Sequence, residues 1–295
     1  MFSLFQYEFV QNAFLGGTII AIVAAVVGYF VVLRAQAFAA EALTDIGFAG
    51  ATGAAILGFG ALLGMLLLTL LSALGMGALG ERVRGRDIEI GMVLSFALGL
   101  GVLFLSLYTQ NSAAHATAGI GILFGSILSI GRQDVWTALG CSCVILLVLT
   151  ILFRPLLFAS VDPEVAQARG VPVRLLSVAF LIILGATAAQ AVMVIGVLLV
   201  SALLIAPAAT AERLTHRPLT ALLLSVVLSL AFTWIGLILA FMGTGRHLPV
   251  GFYISALAAL SYFSAVLISR RERTVRREKK VGCCSEREER VPMAL

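Results

Sequence analysis

Eight long apolar runs dominate the chain, at about 12–33, 52–77, 89–108, 134–153, 174–190, 192–211, 219–242 and 250–268. Each approaches the roughly 20 residues that a helix needs to cross the hydrocarbon core, and the fifth is short. Two further segments, 36–50 and 117–131, are too brief to span. The first holds Gln36, Glu41, Thr44 and Asp45. It is too polar to face lipid, so protein or water must surround it at membrane depth. Small residues run through the helices, as in "GFAGATGAAILGFGALLG" and "FALGLG", and let transmembrane backbones approach closely. The pattern predicts an all-α polytopic membrane protein with about eight transmembrane helices plus short non-spanning helices.

Arginine placement orients the spans. "ERVRGRDIE" (81–89), "RPLLFASVDPEVAQARGVPVR" (154–174), "ERLTHR" (212–217) and the tail from Arg270 should all be cytoplasmic by the positive-inside rule. Eight spans with both termini cytoplasmic satisfy each of these. That arrangement leaves Arg34, Arg132 and Arg246 outside, which counts against it. A ninth span over 36–53, with the N-terminus outside, rescues Arg34 only, and eight is the preferred number. One transmembrane domain is expected over 1–269, followed by a basic, disordered cytoplasmic tail over 270–295. No internal repeat is evident.

Composition agrees with this and narrows the function. The 295 residues are 61% hydrophobic and 12% charged, with a mean hydropathy of +1.08; soluble proteins carry about twice that charged fraction. The net charge of +5 does not mark a nucleic-acid face, because nine basic and five acidic residues fall between Arg270 and Arg290. That surplus belongs to the tail. No cleavable leader is expected, since "MFSLFQYEFVQNAF" lacks a basic start and a small-residue cleavage site. Cys141 and Cys143 sit in an apolar run and read as packing residues. Cys283 and Cys284, adjacent in the tail, supply two ligands at most.

The chain has no GxxxxGK[ST] loop, HExxH, Cys/His cluster or Ser/His/Asp arrangement, so it does not read as an enzyme. Its unusual chemistry is the pair Glu41 and Asp45. A charge held at bilayer depth costs about 2.5–3.5 kcal/mol, and acids at i and i+4 on one helical face repel each other. A cation between them would relieve that repulsion; lining of a hydrated vestibule, or a cap, is the plainer reading. Farther on, Asp162-Pro163 suits the cap and first turn of a short amphipathic helix that ends at Gly170. Pro207 lies inside an apolar run and permits a kink that could serve a gate. His115 and His247 fall in outer loops on this topology and His216 on the cytoplasmic side. Met193 and Met242 read as core.

The run Glu164-Val165-Ala166-Gln167-Ala168-Arg169-Gly170 resembles the E-A-A-x-x-x-G pattern of ABC importer permeases, with Val165 in place of an alanine. "GVLLVSALLIAPAATAERLTHRP" (196–218) resembles the signature run of the metal-ion ABC permeases, the group that imports zinc, manganese or iron. "RDIEIGMVLSFALGLGVLFLSL" (86–107), "LFGSILSIGRQDV" (123–135) and "VDPEVAQARGVPVRLL" match that family in order and spacing, so the resemblance covers roughly 10–270. It implies a multi-pass subunit of the bacterial inner membrane working by alternating access. Its partners would be two copies of an ATP-binding subunit, a second permease subunit (another copy or a close paralogue) and an extracytoplasmic metal-binding protein. ATP would sit on the partner subunit, and no cofactor would be permanently bound. Asp162, Glu164, Ala166, Ala168 and Gly170 would form the ATPase-coupling helix.

The family's usual D-A-L-S-H-A-V-L-P-G corresponds to Glu41-Ala42-Leu43-Thr44-Asp45-Ile46-Gly47-Phe48-Ala49-Gly50. Glu41 falls where the family has its aspartate and Asp45 where it has its histidine; both would lie on the metal path near the outer gate. His115 and His247 are accessory candidates for receiving the metal. Replacing the histidine by a carboxylate leaves hard oxygen donors, which favour manganese or iron(II), with zinc close behind. Ala49 replaces the family's proline. Three other readings compete: a zinc-specific permease, a proton-coupled secondary transporter using the same two acids, and a scaffold with no transport role.

Overall fold

The computed structural model describes residues 8–79, 86–109, 130–215, 217–242 and 250–268. His115, His216, Arg246, His247, the 117–129 part of the second short segment and the 270–295 tail lie outside the described residues. The described residues form ten helices: α1 (Glu8–Leu33), α2 (Ala37–Ile56), α3 (Ala61–Leu79), α4 (Arg86–Thr109), α5 (Arg132–Val161), α6 (Pro163–Ala168), α7 (Val173–Ile195), α8 (Val197–Leu214), α9 (Pro218–Met242) and α10 (Val250–Ile268). Seven of them are long and apolar enough to cross a membrane, and the apolar stretch Ala61–Gly77 of α3 is somewhat shorter. The chain is an all-helical, multi-pass membrane protein.

Helix α1 runs through the middle and is held by polar side chains from α9. Ser225 Oγ donates to the Ala25 carbonyl (3.3 Å), Ser229 Oγ to Ala21 (3.0 Å) and Trp234 Nε1 to Thr18 Oγ1 (3.0 Å). As α1 advances, its partners on α9 recede, so the two are antiparallel. Lower on α1, Gly28 lies against the Leu204 carbonyl of α8, an approach that any Cβ would block. Phe30 packs edge-on to Phe153 of α5 and near Phe180 of α7. Helix α7 is the second buried axis, and it hands over to α8 through Gly196 alone, at φ 87°. Only glycine takes that conformation without strain.

Sequence and structure part at four places. The segment 36–50 is not a short non-spanning piece. It continues to Ile56, and the apolar run 52–77 breaks at Leu57–Gly60, where Gly58 adopts φ 76°. The break between the fifth and sixth runs falls at Gly196, which gives the fifth span 23 residues. Helix α5 passes through Pro155 to Val161, so the first part of the 154–174 loop is helical.

The fourth difference follows from the first. At 20 residues α2 is as long as a span, roughly 30 Å at 1.5 Å per residue, and this reverses α1 relative to the eight-span scheme. Glu8 and Arg132 line a pocket at one end of the bundle, whereas Leu33, Val161, Arg213 and Arg217 line a pocket at the other. Helix α9 leaves the Arg217 face, and α10, meeting it at Gly236 and Ile254, returns there. The start of α1 and the end of α10 therefore lie on opposite faces of the bundle. Arg34 moves accordingly: its Nη2 donates to Ser177 Oγ (2.7 Å) in the first turns of α7, on the face of Arg213 and Arg217. An arginine that counted against the eight-span scheme thus joins the other basic residues.

Candidate functional site

Helix α2 starts after a tight turn in which Ala35 sits at φ 53°, a left-handed conformation uncommon for a residue with a side chain. It packs against α3, α4, α7 and α8. Its small residues make this enclosure possible. Gly50 lies directly against the Gly64 carbonyl of α3, Gly47 faces the Thr69 methyl, and Thr69 in turn meets Gly185 of α7. On the α4 side Phe48 rests on Gly101, and Thr52 Oγ1 reaches the Gly101 carbonyl (3.4 Å) as well as its own Phe48 carbonyl (3.0 Å).

Within this enclosure Asp45 is only 5% exposed, and Glu41, one turn nearer the basic face, is half-buried. Neither carboxylate has a hydrogen bond or ion pair with any described residue. Thr44 cannot help, because its hydroxyl is committed to the Ala40 carbonyl (2.9 Å). The i, i+4 spacing brings the two acids to about 5–6 Å between Cβ atoms. Asp45 stands eight residues into α2, about 12 Å along its axis, so the pair lies in the half of α2 nearer Arg34. Among the described residues no three His, Cys, Asp or Glu side chains converge on one point. The chain thus offers two oxygen-donor groups on one face, an incomplete coordination shell.

The short helix forms as the sequence predicts. Asp162 Oδ1 accepts from the Val165 amide (3.1 Å), Pro163 occupies the first turn, and Gly170 ends the element at φ 81° with Val171 N bonding back to the Ala166 carbonyl (3.1 Å). Asp162, Glu164, Ala168 and Gly170 are exposed. Ala166 is not: it is wholly buried and packs with Ala159 and Val173, beneath the helix rather than on its outer surface. Arg169 lies over the Phe158 ring, 5.7 Å from its centroid.

Pro207 is buried in α8, which continues through it as a helix. It supplies no amide to the Leu203 carbonyl. Residues that the sequence reading passed over also carry structure. Gln190 joins α7 to α5 through Nε2, which donates to the Ala138 carbonyl (2.7 Å) and Ser142 Oγ (2.6 Å); its own Oε1 is buried without a partner among the described residues. A lone glutamine inside "ATAAQAVMV" was the available signal.

The fold is that of a multi-pass membrane protein, and comparison with known proteins gives its class. The family model for the ABC 3 transport family matches residues 6–269, and the chain belongs to that family. It is 32% identical over 272 residues to the manganese import system permease protein ScaB of Streptococcus parasanguinis, covering 92% of this chain and 94% of that one. A probable iron transport system membrane protein of Haemophilus influenzae is 31% identical over 262 residues, covering 86% and 94%. Among solved structures, PsaBC from Streptococcus pneumoniae in complex with Fab superposes with a TM-score of 0.81 at 27% identity, covering 93% of this chain and 97% of that one. The chain is thus a multi-pass permease of a bacterial ABC transporter.

Proposed function

We propose that this permease carries a divalent transition-metal ion, manganese by preference, into the cytoplasm by alternating access. The observation that carries the proposal is Asp45: a carboxylate 5% exposed in a membrane bundle, without a partner among the described residues and one turn from a second acid. Such a group is costly to keep and is repaid when a cation passes. Hard oxygen donors suit manganese and iron(II) better than zinc, and the names of the streptococcal relatives point to manganese. Two carboxylates do not fill a coordination sphere, so a second permease and water supply the rest. The ion is substrate, not a resident cofactor. ATP is hydrolysed on a separate subunit that docks on Asp162, Glu164, Ala168 and Gly170, while Ala166 holds the helix to the bundle from beneath. His115 and His247 remain accessory candidates, and Pro207 a candidate bend for gating.

Uptake of manganese, iron(II) and zinc into cells expressing the whole transporter tests this, with the Glu41→Gln/Asp45→Asn protein beside the parent. The amides keep the shape and remove the charge. Loss of manganese uptake with normal membrane levels is the expected result; undiminished uptake would place the ligands elsewhere. Uptake that survives inactivation of the ATPase partner would instead favour a proton-coupled carrier.

A further inference from the structure

At the face opposite Arg217, the first turns of α1 and α5 enclose a cavity of about 300 Å³. Glu8 borders it from α1 and Arg132 from α5, with Asn12 and Trp136 beside them. Neither the Glu8 nor the Arg132 side chain forms a hydrogen bond or ion pair with the other or with any other described residue. Deeper in the membrane the same two helices contribute only apolar groups, Leu15 and Leu139, both open to the surroundings at 56% and 38% exposure. The groove therefore passes from opposite charges at its mouth to hydrocarbon below. Trp136, 64% exposed, sits at the mouth, where membrane tryptophans mark the headgroup level.

We propose that this groove is a binding site for a zwitterionic phospholipid with a primary-amine headgroup. Arg132 donates to the phosphate oxygens, Glu8 accepts from the ammonium, and an acyl chain lies along Leu15 and Leu139. Charge complementarity selects this occupant: an anionic lipid satisfies Arg132 but sets its charge against Glu8. Position favours lipid as well. Helix α5 packs on α1, α7 and α6, so the groove lies on a different flank from α2 and its acids. A second permease completing the carboxylate site meets the α2 flank instead.

The test uses tryptophan fluorescence. The chain has two tryptophans, and Trp234→Phe leaves Trp136 as the sole reporter. The full chain is placed in nanodiscs containing brominated phosphatidylethanolamine or brominated phosphatidylglycerol. Half-quenching is expected at about fivefold lower mole fraction of the ethanolamine lipid, the effect of one favourable charge at the headgroup level. Glu8→Gln should erase that preference, and Arg132→Gln should weaken both lipids. Native mass spectrometry of the unsubstituted chain gives an independent reading, with phosphatidylethanolamine retained over phosphatidylglycerol. Equal midpoints, or a preference that survives Glu8→Gln, would overturn the proposal. So would displacement by soluble phosphoethanolamine, which would mark a site for a free ligand. Cross-linking of two copies through Trp136→Cys in native membranes would show the groove to be a permease interface.

Discussion

The stretches Glu41–Gly50 in α2 and Asp162–Gly170 around α6 each hold two acids and two alanines and end in glycine, yet every shared residue type works differently in the two. Asp162 caps a helix and Glu164 sits in its first turn, where the helix dipole favours negative charge. Local backbone chemistry accounts for both acids without any ligand. Glu41 and Asp45 lie inside a helix, cap nothing and bond to no described residue. An acid that its own helix explains says little about function, whereas an acid that nothing local explains calls for a visitor. The glycines divide in the same way. Gly50 has an ordinary conformation but no room, being pressed on the Gly64 carbonyl. Gly170 has open space around it but φ 81°.

The sharpest break in this comparison is Asp45→Leu. Removing an unpartnered carboxylate from the bundle should stabilise the folded chain by about 2.5–3.5 kcal/mol, while manganese uptake is lost. Asp162→Leu should leave the unfolding temperature close to the parent's, because the lost cap is confined to an exposed six-residue helix. Thermal unfolding of the purified chain in detergent measures the first effect and uptake the second. A destabilised Asp45→Leu chain would mean that the carboxylate has a structural partner.

Next come the glycines. Gly50→Ala pushes a methyl group into the α3 backbone and should cost about 1–3 kcal/mol, and Gly50→Asn more. At Gly170 the order changes, because asparagine tolerates the left-handed region and β-branched residues do not. Gly170→Val should cost about 1–2 kcal/mol locally and uncouple ATP hydrolysis from uptake, with Gly170→Asn close to the parent. Equal effects of valine and asparagine at Gly170 would show that space, not conformation, is the constraint there.

These contrasts also explain what the sequence made legible. The helical membrane class followed from the apolar runs. The short helix followed from Asp162, Pro163 and Gly170, because capping and left-handed termination are local and have residue signatures. The placement of α2 was harder to read. Its alanines, glycines and acids average to a hydropathy below that of a span, and the true turn, Gly58-Phe59-Gly60, lay hidden inside an apolar run. Enclosure by α3, α4, α7 and α8 makes this polarity tolerable, and enclosure is a tertiary property that no window along the chain reports. Arg34 held the clue, since placing it with the other basic residues requires 36–56 to cross. Ala166 shows the same limit at small scale: its motif position marked the short helix, but only packing against Ala159 and Val173 shows which side it faces.

The smallest effect expected is at the cap itself. Asp162 Oδ1 accepts from the Val165 amide at 3.1 Å at an exposed position, so water competes and the bond stabilises the helix by about 1 kcal/mol. The bundle as a whole should hardly register its loss, because α6 covers little apolar surface beyond Ala166. The change belongs in the six-residue helix itself, where it shifts the local opening equilibrium. Hydrogen exchange of the segment 163–170 in the purified chain should therefore speed up about fivefold in Asp162→Ala, with the exchange of α2 unchanged. Asp162→Ser keeps a capping oxygen without the charge and should restore most of the protection. If serine protects as poorly as alanine, the charge near the helix start matters more than the hydrogen bond. The acid of the short helix would then act through its field, as those of α2 do, and the contrast between the two segments would narrow to burial alone.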